Sequence, residues 1–120
     1  MDVRDLDRIA TQLASVYGQS TKVAQEGQRR LVQIERVELY PGCQPPDTAM
    51  LLVLDPAQPK PQVFVTPGQQ LANGRPPKNS SNILIGGQTW MQFSFNIPWS
   101  DGDNIMRFIA AARQRFAQNE

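Results

Sequence analysis

The sequence predicts one α+β domain: an antiparallel meander of three to five strands with an N-terminal and a C-terminal helix packed on it. Three observations carry that expectation. Apolar residues recur at helical spacing near both ends of the chain and at strand spacing between them. Nine of the ten prolines fall between Pro41 and Pro77, where a residue that cannot donate to a ladder marks strand ends and turns. The length, 120 residues, suits a single domain that buries roughly two-thirds of its unfolded surface without disulfides or metal.

The first helix is expected over Val3–Tyr17, where Leu6, Ile9, Leu13, Val16 and Tyr17 lie three and four apart and form one face. Asp2, Asp5 and Asp7 crowd its first turns, where the macrodipole favours negative charge, and Gly18 is its stop. Residues 18–27 are polar with two glycines and are expected to be a loop. Residues 29–40 predict a long strand. Its phase slips: Val32 and Ile34 share one parity, Val37 and Leu39 the other, so a β-bulge or a change of exposed face is expected near Glu35–Arg36.

Pro41-Gly42 turns the chain, and the apolar run 49–54 predicts a central strand covered on both faces, closed by Asp55-Pro56. Val63-Phe64-Val65 is a third, short strand between Pro61 and Pro67. Residues 67–82 predict a long loop, functional or mobile or simply a slack connection. Ile83-Leu84-Ile85 docks the end of that loop or pairs as an edge, and Gly86-Gly87 turns the chain. From 90 to 97 the alternation of Met91, Phe93, Phe95 and Ile97 with Gln92, Ser94 and Asn96 predicts a half-buried strand. Ser100 and Asp103 form a capping-box-like start to a last helix, residues 101–118, whose stripe is Ile105, Phe108, Ile109, Ala112 and Phe116.

Composition excludes several kinds of chemistry. Twelve basic and eleven acidic residues leave a net charge of +1 with no basic stripe, so a nucleic-acid partner is not expected. The chain has no histidine, which removes imidazole bases and every histidine-dependent metal or nucleophile pair. Neither a phosphate-loop pattern nor a metal-ligand spacing occurs, and no cofactor is expected. Asp101 and Asp103 suit the first turn of a helix better than a catalytic pair, and Asp55 before Pro56 suits a turn. An acidic N-terminus without an apolar core, and no run near the ~18 apolar residues of a membrane span, point to a cytoplasmic protein without a membrane partner. The single cysteine, Cys43, forms no internal disulfide, which fits a reducing compartment. A reactive thiol needs a nearby base, cation or helix N-terminus, whereas Cys43 is flanked by Pro41-Gly42 and Gln44-Pro45-Pro46. Trp90 is expected in the core, and Trp99 either there or in a protein-binding spot.

Several segments, in order, resemble the ubiquitin-conjugating-enzyme-like (UBC-like, RWD-like) superfamily, and most narrowly its divergent prokaryotic members. They are Leu39-Tyr40-Pro41-Gly42 leading into Thr48-Ala49-Met50-Leu51-Leu52-Val53-Leu54, then the proline-bounded stretch 59–67. Gly87-Gln88-Thr89-Trp90 with Phe93-Ser94-Phe95, and Pro98-Trp99 before an Asp-led helix, complete the set, spanning about residues 30–118. The resemblance implies a UBC-like fold and places the family's catalytic cysteine after the third strand, often near His-Pro-Asn. Here 76–91 holds neither cysteine nor histidine, and Phe95-Asn96 stands where prokaryotic relatives often carry a histidine. The resemblance therefore implies a non-catalytic adaptor for protein partners: a ubiquitin-like protein, an activating enzyme or a peptidase of a bacterial modification or defence pathway. Arg4, Arg8 and Gln12 on the first helix, Lys78 and Asn79 in the long loop, and Trp99 are the expected partner-binding residues. The alternatives are a thioester-forming conjugating enzyme using Cys43, or a structural, chaperone-like dimer built through Trp99 and the last helix.

Overall fold

A computed structural model describes residues 3–39, 41–77, 79–93, 97–100 and 102–117. The chain runs through α1 (Val3–Tyr17), a 3-10 turn (Gly18–Ser20), β1 (Thr21–Glu26), β2 (Arg29–Glu38), β3 (Asp47–Leu54), β4 (Gln62–Val65), β5 (Ser81–Ile85), β6 (Gln88–Gln92) and α2 (Ile105–Ala117). The strands form one antiparallel sheet in the order β1-β2-β3-β4-β6-β5. The predicted class is correct: two helices and an antiparallel sheet, with six strands rather than three to five.

Both helices lie on one face. Leu6, Ile9 and Leu13 of α1, and Ile105, Phe108, Ile109, Ala112 and Phe116 of α2, pack against Val32, Ile34, Met50, Leu52, Leu54, Val65 and Met91 in one buried cluster. Ile34, Met50, Val65 and Met91 form a row of direct cross-strand partners through β2, β3, β4 and β6. The phase slip in β2 is a bulge: Glu35 and Arg36 lie between two pairs that enclose only Ala49 on β3. The extra residue turns Val37 to the same core as Ile34, while Glu35 and Arg36 stay exposed and Arg36 Nε donates to Asp47 Oδ2 at 2.9 Å.

The opposite face carries a second cluster of Leu31, Leu51, Val53 and Phe64 from β2, β3 and β4, closed by Ile85 and Trp90. Among the described residues the β5–β6 hairpin joins β4 through the Val65–Met91 pair, and it then folds back across this face. Its tip reaches β2: a Cβ added to Gly86 would stand 3.5 Å from Leu31 Cδ1. Burying six such side chains stabilises by about 1.5–3 kcal/mol each, before the entropy of ordering the hairpin is subtracted. This is why β3 reads as unbroken apolar sequence. Met50, Leu52 and Leu54 face the helices, and Leu51 and Val53 face the hairpin.

Three elements differ from expectation. Residues 18–27 hold strand β1 rather than only a loop; as an edge strand, exposed along nearly its whole length, it needs no apolar alternation, and Lys22 and Glu26 supply the charge that edges carry. Strand β6 spans Gln88–Gln92 rather than 90–97, because it passes between two cores, so the consecutive Trp90 and Met91 are both buried, on opposite faces. Ser94, Phe95 and Asn96 lie outside the described residues. Helix α2 begins at Ile105 because Asn104 caps it, Oδ1 accepting the Met106 N–H at 2.9 Å. Asp103 accepts the Ser100 N–H at 2.7 Å but closes the turn before the helix; Asp101 and Gln118 lie outside the described residues.

The stretch 67–77 is pinned rather than slack. Gln69, Leu71 and Pro77 are buried, Gln69 Nε2 donates to Pro45 O at 2.9 Å, and Gln70 N donates to Gln44 O at 2.9 Å. Among the described residues, no helix is long and apolar enough to cross a membrane.

Candidate functional site

The polar face of α1 meets the start of α2. Arg8 lies one turn after Arg4 and one before Gln12, so the three residues share a face. Arg8 Nε pairs with Asp5 Oδ1 at 3.4 Å, and both terminal guanidinium nitrogens donate to the Asp103 carbonyl at 3.3 Å. Gln12 Nε2 donates to Asn104 Oδ1 at 2.9 Å, the oxygen that also caps α2. These bonds tie two helices that are nearly the whole chain apart in sequence. Along this face Asp7, Arg8, Thr11, Gln12, Ser15 and Val16 line a wide groove of about 760 Å³.

Trp99 continues the same surface. It stands edge-on to Phe108, ring centroids 5.6 Å apart at 87°, and is half-buried. With Ile97, Pro98, Arg107 and Ala111 it lines a depression of about 240 Å³ whose rim includes Asp103 and Asn104, the same two residues that receive Arg8 and Gln12. The Trp99 Nε1 is shielded from solvent and has no hydrogen-bond partner among the described residues. A volume below the roughly 300 Å³ of small-molecule sites suits a single inserted side chain better than a metabolite. Arg8, Gln12 and Trp99 are therefore brought together on one surface. Asn79, exposed with a left-handed φ of 55°, sits in the loop before β5, and no contact among the described residues places it on that surface. Lys78 lies outside the described residues.

Sequence reasoning missed Asp103, Asn104 and Arg107 as members of this surface. A signal for Asn104 existed, since it immediately precedes the apolar stripe of α2, the usual N-cap position. Nothing local marks Arg107, whose place on the rim depends on how α2 is rolled against the sheet.

Cys43 occupies the other end of the helical layer. It is 1 % exposed, belongs to the main core, and its Sγ lies 3.4 Å from the Phe116 carbonyl to which it donates. That carbonyl also accepts the Ala72 N–H at 2.9 Å, so one oxygen in the last turn of α2 receives two donors from distant loops. Burial pushes the Cys43 thiol above its ordinary pKa, away from the thiolate a nucleophile requires. Burial likewise raises Tyr17, with the nearby Arg113 pulling it partly back. Among the described residues no three His, Cys, Asp or Glu side chains come together as a metal site.

Compared with known proteins, the chain matches no family model, no curated protein and no solved structure.

Proposed function

We propose that this chain is a non-catalytic, UBC-like adaptor that binds protein partners in the cytoplasm, within a bacterial ubiquitin-like modification or defence pathway. The observation that carries the reading is the state of Cys43. Its thiol is screened from solvent, hydrogen-bonded to a helix carbonyl and held protonated by burial, so an acyl carrier would have to unpack the core to reach it. The element order supports the fold assignment: a helix, a meander from β1 to β4, a proline-rich stretch and a closing helix. The β5–β6 hairpin over the second face is an elaboration of that plan. The partner surface is the α1–Trp99 face, where Arg4, Arg8 and Gln12 supply polar contacts and Trp99 supplies an aromatic anchor of the kind that dominates protein interfaces.

Calorimetric titration of the purified chain with a bacterial ubiquitin-like protein, its activating enzyme and the associated peptidase tests the reading. The expected result is saturable binding to at least one of them, weakened at least tenfold by Trp99→Ala, with no thiol-reducible adduct in the presence of ATP. An adduct that disappears in Cys43→Ala would establish the conjugating-enzyme alternative. Absence of binding to all three would remove the pathway assignment.

A further inference from the structure

We propose that the second face of the sheet carries a pocket for a small monocarboxylic acid, set between the tip of the β5–β6 hairpin and β1. The strand register brings its walls together. Directly paired residues share a face of a sheet, so Lys22, Gln33 and Leu51 stand in one row and Ala24, Leu31 and Val53 in the next but one. Leu31, Leu51 and Val53 belong to the cluster beneath the hairpin, which fixes both rows on that face. The hairpin tip reaches Leu31 at Gly86, but among the described residues the cluster takes nothing from β1. Between the tip and β1 lies a pocket of about 230 Å³. Its floor is Leu31, Leu51, Ile85 and Trp90, all buried, and its rim is Lys22, Gln33 and Gln88.

The chemistry of the lining selects the ligand. Lys22 is the one charged residue there among the described residues, and no acid joins it. Lys22 makes no ion pair among the described residues, and Glu26, the acid on the same face of β1, pairs with Arg29. One unbalanced cation matches a monoanion. A phosphate monoester carries about −1.5 to −2 charge at neutral pH and would call for a second cation, which the lining does not hold. A carboxylate carries one charge, and the Gln33 and Gln88 carboxamides add N–H donors at the same rim. The apolar floor takes the rest of the molecule, with the Trp90 indole offering a ring to pack against. The volume lies below the roughly 300 Å³ at which sites for drug-sized ligands begin, so the apolar part is one ring or one short branched chain. An acid of that size binds with Kd on the order of 1 mM. The pocket lies across the sheet from the helices, so it does not depend on the surface formed by Arg8, Gln12 and Trp99.

The test is an NMR titration of the full chain with 3-phenylpropionate to about 10 mM, well above that Kd. The two tryptophans report separately, since Trp90 lines the pocket and Trp99 packs on the helical side. The expected result is a saturable shift of the Trp90 indole signal and of the Lys22, Gly86 and Gln88 amides, with Trp99 unmoved. The uncharged 3-phenylpropionamide should bind about fivefold more weakly or worse, a comparison that needs no variant. Lys22→Gln, at an exposed edge position, should weaken the acid by the same factor, and Ala24→Phe, which fills the pocket from its exposed wall, should abolish binding. No shift at Trp90 and these amides, or equal binding of the acid and its amide, overturns the proposal. Shifts centred on Trp99 overturn it in favour of the depression beside α2. Phenyl phosphate binding more tightly than the acid overturns the carboxylate assignment. A short peptide ending in phenylalanine that binds at least tenfold more tightly than the acid overturns the small ligand in favour of a chain end.

Discussion

Replacing Trp90 by alanine tests whether the hairpin truly closes the second face of the sheet. Trp90 is 2 % exposed and sits with Ile85 over Leu31, Leu51, Val53 and Phe64. A buried tryptophan removes at most about 250 Å² from water. At about 25 cal/mol per Å² the ceiling is roughly 6 kcal/mol. Truncations of buried large aromatics to alanine cost about 3–5 kcal/mol, because the site relaxes only partly. Since domains of this kind are stable by about 5–15 kcal/mol, a loss of that size is unmistakable. Trp90 and Ile85 are the hairpin's contribution to this cluster, so Trp90→Ala should also loosen the hairpin locally, exposing the four sheet residues beneath. Urea unfolding followed by far-UV circular dichroism should give a destabilisation of about 3–5 kcal/mol. An apolar dye should bind the native variant but not the parent. The control is Leu84→Ala on the outer side of the same hairpin, expected to change stability by less than about 0.5 kcal/mol. A Trp90→Ala loss below about 1 kcal/mol would mean that the hairpin does not cover this face, and the two-sided burial of β3 would need another explanation.

Three further outcomes are expected. Native Cys43 should react with an aromatic disulfide on the order of 100-fold slower than in the denatured chain, because access requires local opening; equal rates would contradict the burial. Stability should fall at alkaline pH. The folded thiol keeps its proton to higher pH than the unfolded one, so its contribution is complete below the unfolded pKa and is lost as pH rises through the folded pKa, at up to about 1.4 kcal/mol per pH unit. Cys43→Ala should flatten that decline without abolishing it, since Tyr17 titrates in the same sense; an unchanged slope would show that the thiol does not participate. Asn104→Ala removes both the α2 cap and the anchor of Gln12 and should cost about 1–2 kcal/mol in denaturant unfolding, against less than about 1 kcal/mol for Gln12→Ala; equal costs would place the energy in the interhelix bond rather than in the cap.

The sequence showed those elements whose burial leaves a periodic trace. The end of α1 was legible to the residue, because a three-four apolar stripe ends at Tyr17 and Gly18 takes a positive φ of 59°. The β2 bulge was legible because one extra residue inverts the parity of Val37 relative to Ile34. Strand β1 was not, since an exposed edge strand leaves no apolar periodicity and its pairing is dictated by β2. The hairpin over the second face was also hidden. Trp90 and Met91 were both expected to be buried, but the alternation of a single strand does not show that they serve opposite cores. At the candidate site, Arg8, Gln12 and Trp99 were picked out singly. Their union through Asp103 and Asn104 depends on the packing of the helices, which local spacing does not encode.

The double acceptance at the Phe116 carbonyl makes the last turn of α2 a shared fastening point. Cys43 and Ala72 both end on that oxygen, and the loops that carry them are also joined to each other through Gln70 N to Gln44 O and Gln69 Nε2 to Pro45 O, so fraying of that turn would loosen two strand connections at once.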